Sequence, residues 1–263
     1  MILAVDMGNS VTTVGMFSEE GKLRFRSELP TVKGGTQDQY AIQLLDVFRL
    51  HRCSAEDVTG AILSSVVPPA TAALCGAVRF LTGKAPMVMG PGVRTGLNIK
   101  SDLHAQLGSD IVAFSIAAAE HYPSPLIVID MGTAVTMSLL RGNVYEGCII
   151  MPGVCLSVEA LSQEAAELPH ISIQAPAALL GHNTVDAMRS GVVYGSASMI
   201  DGMIDRVEEV NGGPVAAVVA TGSNAPEVLH YCKHTIVYDA DLILHGLYLI
   251  YRKNTAPRQR KGS

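Results

Sequence analysis

An internal repeat constrains this chain more than any other feature. Ile2-Leu3-Ala4-Val5-Asp6-Met7-Gly8-Asn9-Ser10-Val11-Thr12 is matched by Leu126-Ile127-Val128-Ile129-Asp130-Met131-Gly132-Thr133-Ala134-Val135-Thr136, with Asp130 standing 124 residues after Asp6 in a chain of 263. Each copy is an apolar run followed by Asp-Met-Gly, a small polar residue and then Val-Thr. An apolar run closed by a glycine turn and followed by β-branched residues predicts two buried strands joined by a tight hairpin. Two copies half a chain apart predict two similar lobes, each opening with strand, turn and strand.

Composition narrows the class of molecule. The chain is 48% hydrophobic and only 16% charged, so burial can offset the entropy of ordering and disorder is excluded as its main state. A net charge of −5 argues against sequence-independent nucleic-acid binding, which needs a basic surface. No apolar run approaches the roughly 18–20 residues of a membrane helix. The chain enters an apolar strand at once and meets Asp6, without the pattern of a signal peptide. A cytoplasmic protein with no nucleic-acid or membrane partner is expected. The five cysteines form no Cys-x-x-Cys pair and read as small buried hydrophobes. Of the histidines, only His230 and His234 stand at a four-residue helical spacing. Tyr231 occupies the place of a zinc-protease glutamate, so metal ligation is not expected there.

Helical and strand patterns alternate between and after the two copies. Helices are predicted over 37–52, 70–81, 106–121, 154–167, 184–210 and 240–251, with strands over 60–67, 87–89 and 215–221. The alternation predicts an α/β fold with sheets covered on their faces, built as two duplicated lobes. The first lobe is expected over 1–118, the second over 119–255, and a solvated basic tail over 256–263.

Several familiar phosphate motifs fail on inspection. Thr82-Gly83-Lys84 lacks the earlier glycine of a P-loop, and Ala85 stands where its hydroxyl should be. Gly90-Pro91-Gly92-Val93-Arg94-Thr95-Gly96 is a residue too long for a dinucleotide fingerprint. The Asp-x-Gly turns suit phosphate in another way. Glycine lets the backbone approach, N–H and hydroxyl groups donate to phosphate oxygens, and Asp holds a charge-neutralising cation. Alone, such a turn is an ordinary hairpin; a pair of them facing across a cleft resembles the superfamily of actin, sugar kinases and chaperone ATPases, which implies actin-like, ribonuclease H-like lobes with a nucleotide cleft between them.

The order of motifs sharpens the resemblance. Asp6 to Ser10, Ser64-Ser65-Val66-Val67-Pro68, Gly90 to Leu97, Gly108-Ser109-Asp110, Asp130 to Thr136, Pro152-Gly153, Leu168-Pro169 and Gly181-His182-Asn183-Thr184 occur in the sequence that resembles the type III pantothenate kinases. The resemblance runs from residue 1 to about residue 250. It implies ATP-dependent phosphorylation of pantothenate, the first step of coenzyme A synthesis. It also implies Mg2+, a monovalent cation (K+ or NH4+) and a homodimer, for which the stretch from Val185 to Ile204 is a candidate contact. By position, Asp6, Met7, Gly8, Asn9, Ser10, Val11, Thr12 and Thr13 correspond to the first phosphate loop and Thr133 to an ATP contact. Asp130 corresponds to a monovalent-cation ligand and Asp110 to the general base. Ser101, Gly108, Ser109, Asp110, Ile111 and Thr184 correspond to the acceptor site.

On its own residues, Asp110 reads equally as a helix N-cap carboxylate. The chain departs from the family where Ile111 replaces an Arg, Ser101 a Tyr, Leu103-His104 an Asn-Pro and Ser138 an Asp. The ATP loops are better kept than the acceptor site. A related kinase with another hydroxyl acceptor, or a non-catalytic nucleotide-binding protein, therefore stands beside the pantothenate reading.

Overall fold

The first apolar run becomes strand β1 (Ile2–Met7), and all six of its residues are buried. It is apolar from Ile2 to Val5 because both of its faces are covered. Leu3, Val5 and Met7 pack with residues of α1 (Gln37–Leu50) and α2 (Pro68–Thr82). Ile2 and Ala4 pack on the other face with Ala113 of α3 (Ser109–His121) and with Leu244 and Leu247 of α7 (Leu242–Thr255). The computed structural model describes residues 1–99 and 107–256. Ser101 lies outside them. These residues form two units: 1–97, 107–117 and 241–256 in the first, 98–99 and 118–240 in the second.

The duplication extends from the motif to the whole sheet. In the first unit the strand order is β3 (Leu23–Pro30), β2 (Val11–Phe17), β1, β4 (Gly60–Ser65), β5 (Met87–Val88). In the second it is β9 (Val144–Pro152), β8 (Ala134–Arg141), β7 (Leu126–Met131), β10 (Ala217–Thr221), β11 (Val237–Tyr238), with β6 (Asn98–Ile99) added beside β9. The first three strands of each series pair antiparallel and the last three parallel. The sequence pattern misses β3 because it is an edge strand carrying Arg24, Arg26 and Glu28, charges that protect an open edge and dilute its apolar alternation.

The predicted helices form with shifted ends, and their stops have local causes. Thr36 and Gln39 make a reciprocal capping box at the start of α1. Pro68 opens α2, and Gly83 closes it in the left-handed conformation. Asn183 caps α5 (Thr184–Asn211) by accepting the Asp186 N–H at 2.9 Å.

Two expectations require correction. The repeats align without a gap in sequence, yet Asp6 pairs across its hairpin with Thr13 whereas Asp130 pairs with Thr136. The first turn is one residue longer, so Thr136 corresponds to Thr13 and Thr12 corresponds to Val135. Nor does the second unit run on to residue 255. The last helix, α7, belongs to the first unit, because Ile2, Ala4, Phe17 and Ile62 form an apolar sheet face that its leucines cover. The fit is close: a Cβ on Gly246 would overlap the Ala113 carbonyl of α3.

Candidate functional site

In the first unit the site grows from the carboxyl ends of two parallel strands. Pairing of β1 with β4 sets Asp6 beside Ser64 and Met7 beside Ser65. Strand side chains alternate, so Asp6 and Ser64 face the side of Ala4 and Ile62, which is lined by α3 and α7. The start of α3 arrives there. Ser109 Oγ lies 2.9 Å from Ser64 Oγ and donates to the Ser65 carbonyl at 3.4 Å. Asp6, Ser64, Ser109 and Asp110, far apart in the chain, thus share one corner. Ligands of open α/β sheets bind outside such strand ends.

Asp110 is not the cap of α3. The Val112 N–H donates to the Gly108 carbonyl at 3.2 Å, which makes Gly108 the cap and places Asp110 in the first turn. Its Oδ1 accepts the Ile111 N–H at 2.8 Å. Burial raises its pKa above the ordinary carboxylate value, and backbone N–H groups offset part of that rise. Among the described residues, no charged side chain adds to that shift. A carboxylate in this state is a stronger base than one in water. Ile111 is itself buried, with 9% of its surface exposed.

The first Asp-Met-Gly turn is held from behind by a residue that sequence reasoning missed. Thr31 Oγ1 donates to the Gly8 carbonyl at 2.8 Å and lies 2.8 Å from Thr12 Oγ1, while Thr31 N–H donates to the Ser10 carbonyl at 3.0 Å. The Gly8 N–H closes the turn on the Val11 carbonyl at 3.0 Å. Of residues 6–13, Asn9 and Ser10 are exposed, and Gly8 and Val11 are half-buried. Asp6 and Thr13 sit at the edge of burial, and the Met7 and Thr12 side chains are interior. No local signal marks Thr31, which lies between Pro30 and Val32. Gly90 to Leu97 is tied to the end of α7: Arg94 N–H donates to Asn254 Oδ1, and Asn254 Nδ2 to the Arg94 carbonyl, both at 2.9 Å.

The second turn has its own frame in the second unit. Gly132 N–H donates to the Ala134 carbonyl at 3.1 Å, and Thr133 is exposed. Asp130 stands beside Thr221 in the parallel pair, as Asp6 stands beside Ser64. Gly153 caps α4 (Val154–Glu164), and a Cβ there would overlap the Thr133 carbonyl. On the other side, Asn224 donates from its backbone to Met131 O at 3.3 Å and from Nδ2 to Gly132 O at 3.4 Å. Gly222 has φ +97°, and a Cβ on it would lie 2.7 Å from the Met131 backbone. Thr221 to Asn224 was read from sequence only as a strand end closed by Gly222, not as part of the site. Its signal was the repeat itself, since a polar stretch closes β10 as Ser64-Ser65 closes β4. Ser138 is fully buried, with its Oγ 2.9 Å from the Tyr145 hydroxyl. Thr184 is the exposed first residue of α5.

Both turns offer oxygen donors. Asp6 and Thr13 pair in one, Asp130 and Thr136 in the other, and Thr136 Oγ1 is buried with no hydrogen-bond partner among the described residues. Such sets fit hard cations such as Mg2+ and K+. The cysteines are free thiols, and burial and the Asp201 carboxylate push Cys232 up to about 12. Among the described residues no helix is long and apolar enough to cross a membrane.

The family model described as type III pantothenate kinase matches residues 2–206. Among solved structures, a Sinorhizobium meliloti protein provisionally named a 2-dehydro-3-deoxygalactonokinase superposes with a TM-score of 0.59 at 14% identity, over 100% of both chains. The activator of 2-hydroxyisocaproyl-CoA dehydratase from Clostridium difficile, with bound ADPNP, gives 0.58 at 11% identity, over 100% of this chain and 98% of its own. A Campylobacter jejuni protein provisionally assigned to the Baf family of transcriptional activators gives 0.57 at 19%, over 96% and 98%. At these identities the likeness shows fold: two α/β lobes of the actin-like ATPase and sugar kinase type.

Proposed function

Because the chain belongs to the type III pantothenate kinase family, we propose that it transfers the γ-phosphoryl group of ATP to the hydroxyl of pantothenate. The observation that carries this reading is the meeting of Asp6, Ser64, Ser109 and a half-buried Asp110 at the ends of β1 and β4. The Asp110 carboxylate takes the proton of the acceptor hydroxyl. The hydroxyl oxygen bonds to the γ-phosphorus as the bond to the bridging oxygen breaks, and ADP leaves with that electron pair. Phosphoryl transfer asks the protein mainly for position and charge neutralisation. Ser109, fixed through Ser64, sets the start of α3 and hence Asp110. The Asn9 and Ser10 segment offers donors to phosphate oxygens. Asp6 and Asp130 would hold Mg2+ and a monovalent cation, which supply positive charge to the triphosphate when bound. We assign the working enzyme to the cytoplasm and to a homodimer, as in the family.

A second reading, a kinase for an uncharged hydroxyl acceptor, is favoured by Ile111. It is buried where the family carries an arginine. An acceptor carboxylate would lose a charge-assisted contact worth about 1.5–3 kcal/mol. ADP release measured with pantothenate and with its alcohol counterpart, the carboxylate reduced to CH2OH, separates the two readings. Faster turnover of pantothenate supports the first and faster turnover of the alcohol the second. ATP binding without acceptor-dependent ADP release from either compound would sink both.

A further inference from the structure

Away from the kinase site, a mixed nitrogen and oxygen donor set forms on the second unit. Asp205 and Glu208 of α5 and His234, in the connection to β11, bring one ligand atom each to within 4.8 Å of one another. Asp201, Asp205 and Glu208 follow one helix face at spacings of four and three. His234 Nε2 lies 2.9 Å from Asp205 Oδ1. The pairing of His230 with His234 considered from sequence is not what the fold builds; the partners of His234 come from 26 and 29 residues earlier.

Two of the three donors are held by the backbone around them. Glu208 Oε1 accepts the Val215 N–H at 3.0 Å, which leaves Oε2 for a ligand. The buried Asp201 accepts the Lys233 N–H at 2.8 and 3.0 Å and the His234 N–H at 3.1 Å, fixing the main chain that carries the imidazole. Ligands positioned in this way lose little entropy on binding a cation. A surface hollow lined by Asp205, Glu208, Glu209, Gly212, Gly213 and Pro214 opens beside the carboxylates, with room for water ligands.

We propose that His234, Asp205 and Glu208 bind a divalent transition cation of the Zn2+ class, which pins the end of α5 to the connection between α6 (Ala225–Leu229) and β11. One imidazole with two carboxylates matches the ligand preferences of Zn2+, whereas Mg2+ prefers oxygen alone and gives up its water reluctantly. This site is independent of the kinase reading.

The test is calorimetry of tag-free, chelator-treated full-length protein with ZnCl2, together with thermal melting. One equivalent of Zn2+ should bind and raise the melting temperature, and millimolar Mg2+ should not displace it. Glu208→Gln keeps an acceptor for the Val215 N–H but loses the charge, and His234→Ala removes the nitrogen donor. Each should weaken Zn2+ at least about tenfold and abolish the melting shift. Co2+ loaded in place of Zn2+ should show visible bands that the His234 variant lacks. Zn2+ affinity equal to the parent in both variants, or no saturable binding by the parent, overturns the proposal.

Discussion

Asp110 meets opposite demands from chemistry and folding. Its raised pKa makes it a better proton acceptor, yet the same burial penalises its ionised form. Asp110→Asn keeps an oxygen for the Ile111 N–H, so the fold and ATP binding should survive while acceptor-dependent ADP release falls by roughly 10²–10⁴-fold. Turnover within twofold of the parent would remove Asp110 from the mechanism. The stability effect has the opposite sign. The folded pKa lies above the unfolded value of about 3.9, so the penalty is absent at lower pH, grows between the two pKa values and is complete above the folded one. Asp110→Asn should therefore melt higher than the parent at pH 7, and the difference should vanish on acidification below about pH 3.9. Parallel melting curves across pH check this. The acidic limb of kcat/KM in the parent should likewise lie above the ordinary carboxylate range. A helix in this stretch was legible in the chain, though read from residue 106 where α3 begins at Ser109; the burial that raises this pKa was not, because it depends on segments distant in sequence.

Among the elements, glycines mark where one backbone rests on another. Gly153 places the cap of α4 against the second turn, and any Cβ must displace the Thr133 carbonyl. Gly153→Ala is expected to weaken ATP binding by about tenfold or more, equivalent to at least about 1.4 kcal/mol. Gly147→Ala, on β9 just before that cap, meets open space and should leave it unchanged. Titration with a non-hydrolysable ATP analogue reads both. Gly246 does the same for the crossing of α7 with α3. Overpacking typically costs about 1–3 kcal/mol, and backbone contact belongs at the upper end of that range. Gly246→Ala should lower the urea midpoint accordingly; an unchanged midpoint would show that α7 shifts without cost. The helices themselves were readable from period and caps. The contacts that make these two glycines indispensable were not, since glycine also occurs at ordinary turns.

At the scale of the whole molecule, α5 presents Gly191 and Gly195 on its exposed side with nothing near their would-be Cβ atoms. If the proposed homodimer uses this face, Gly195→Leu should halve the mass seen by light scattering at micromolar concentration while the chain stays folded. A dimer unchanged by Gly195→Leu would move the contact elsewhere. Two apolar runs ending in Asp-Met-Gly were enough to determine a duplicated α/β fold with two strand–turn–strand hairpins, because strand burial and turn chemistry are properties of adjacent residues. The order of motifs carried the family as well. Tertiary structure alone decided which threonine faces each aspartate, since one extra turn residue shifts the hairpin register without disturbing the sequence match. It also returned α7 to the first sheet and brought His234 to Asp205 and Glu208. Such contacts form where distant apolar faces must be covered, and no local pattern records which distant segment will cover them.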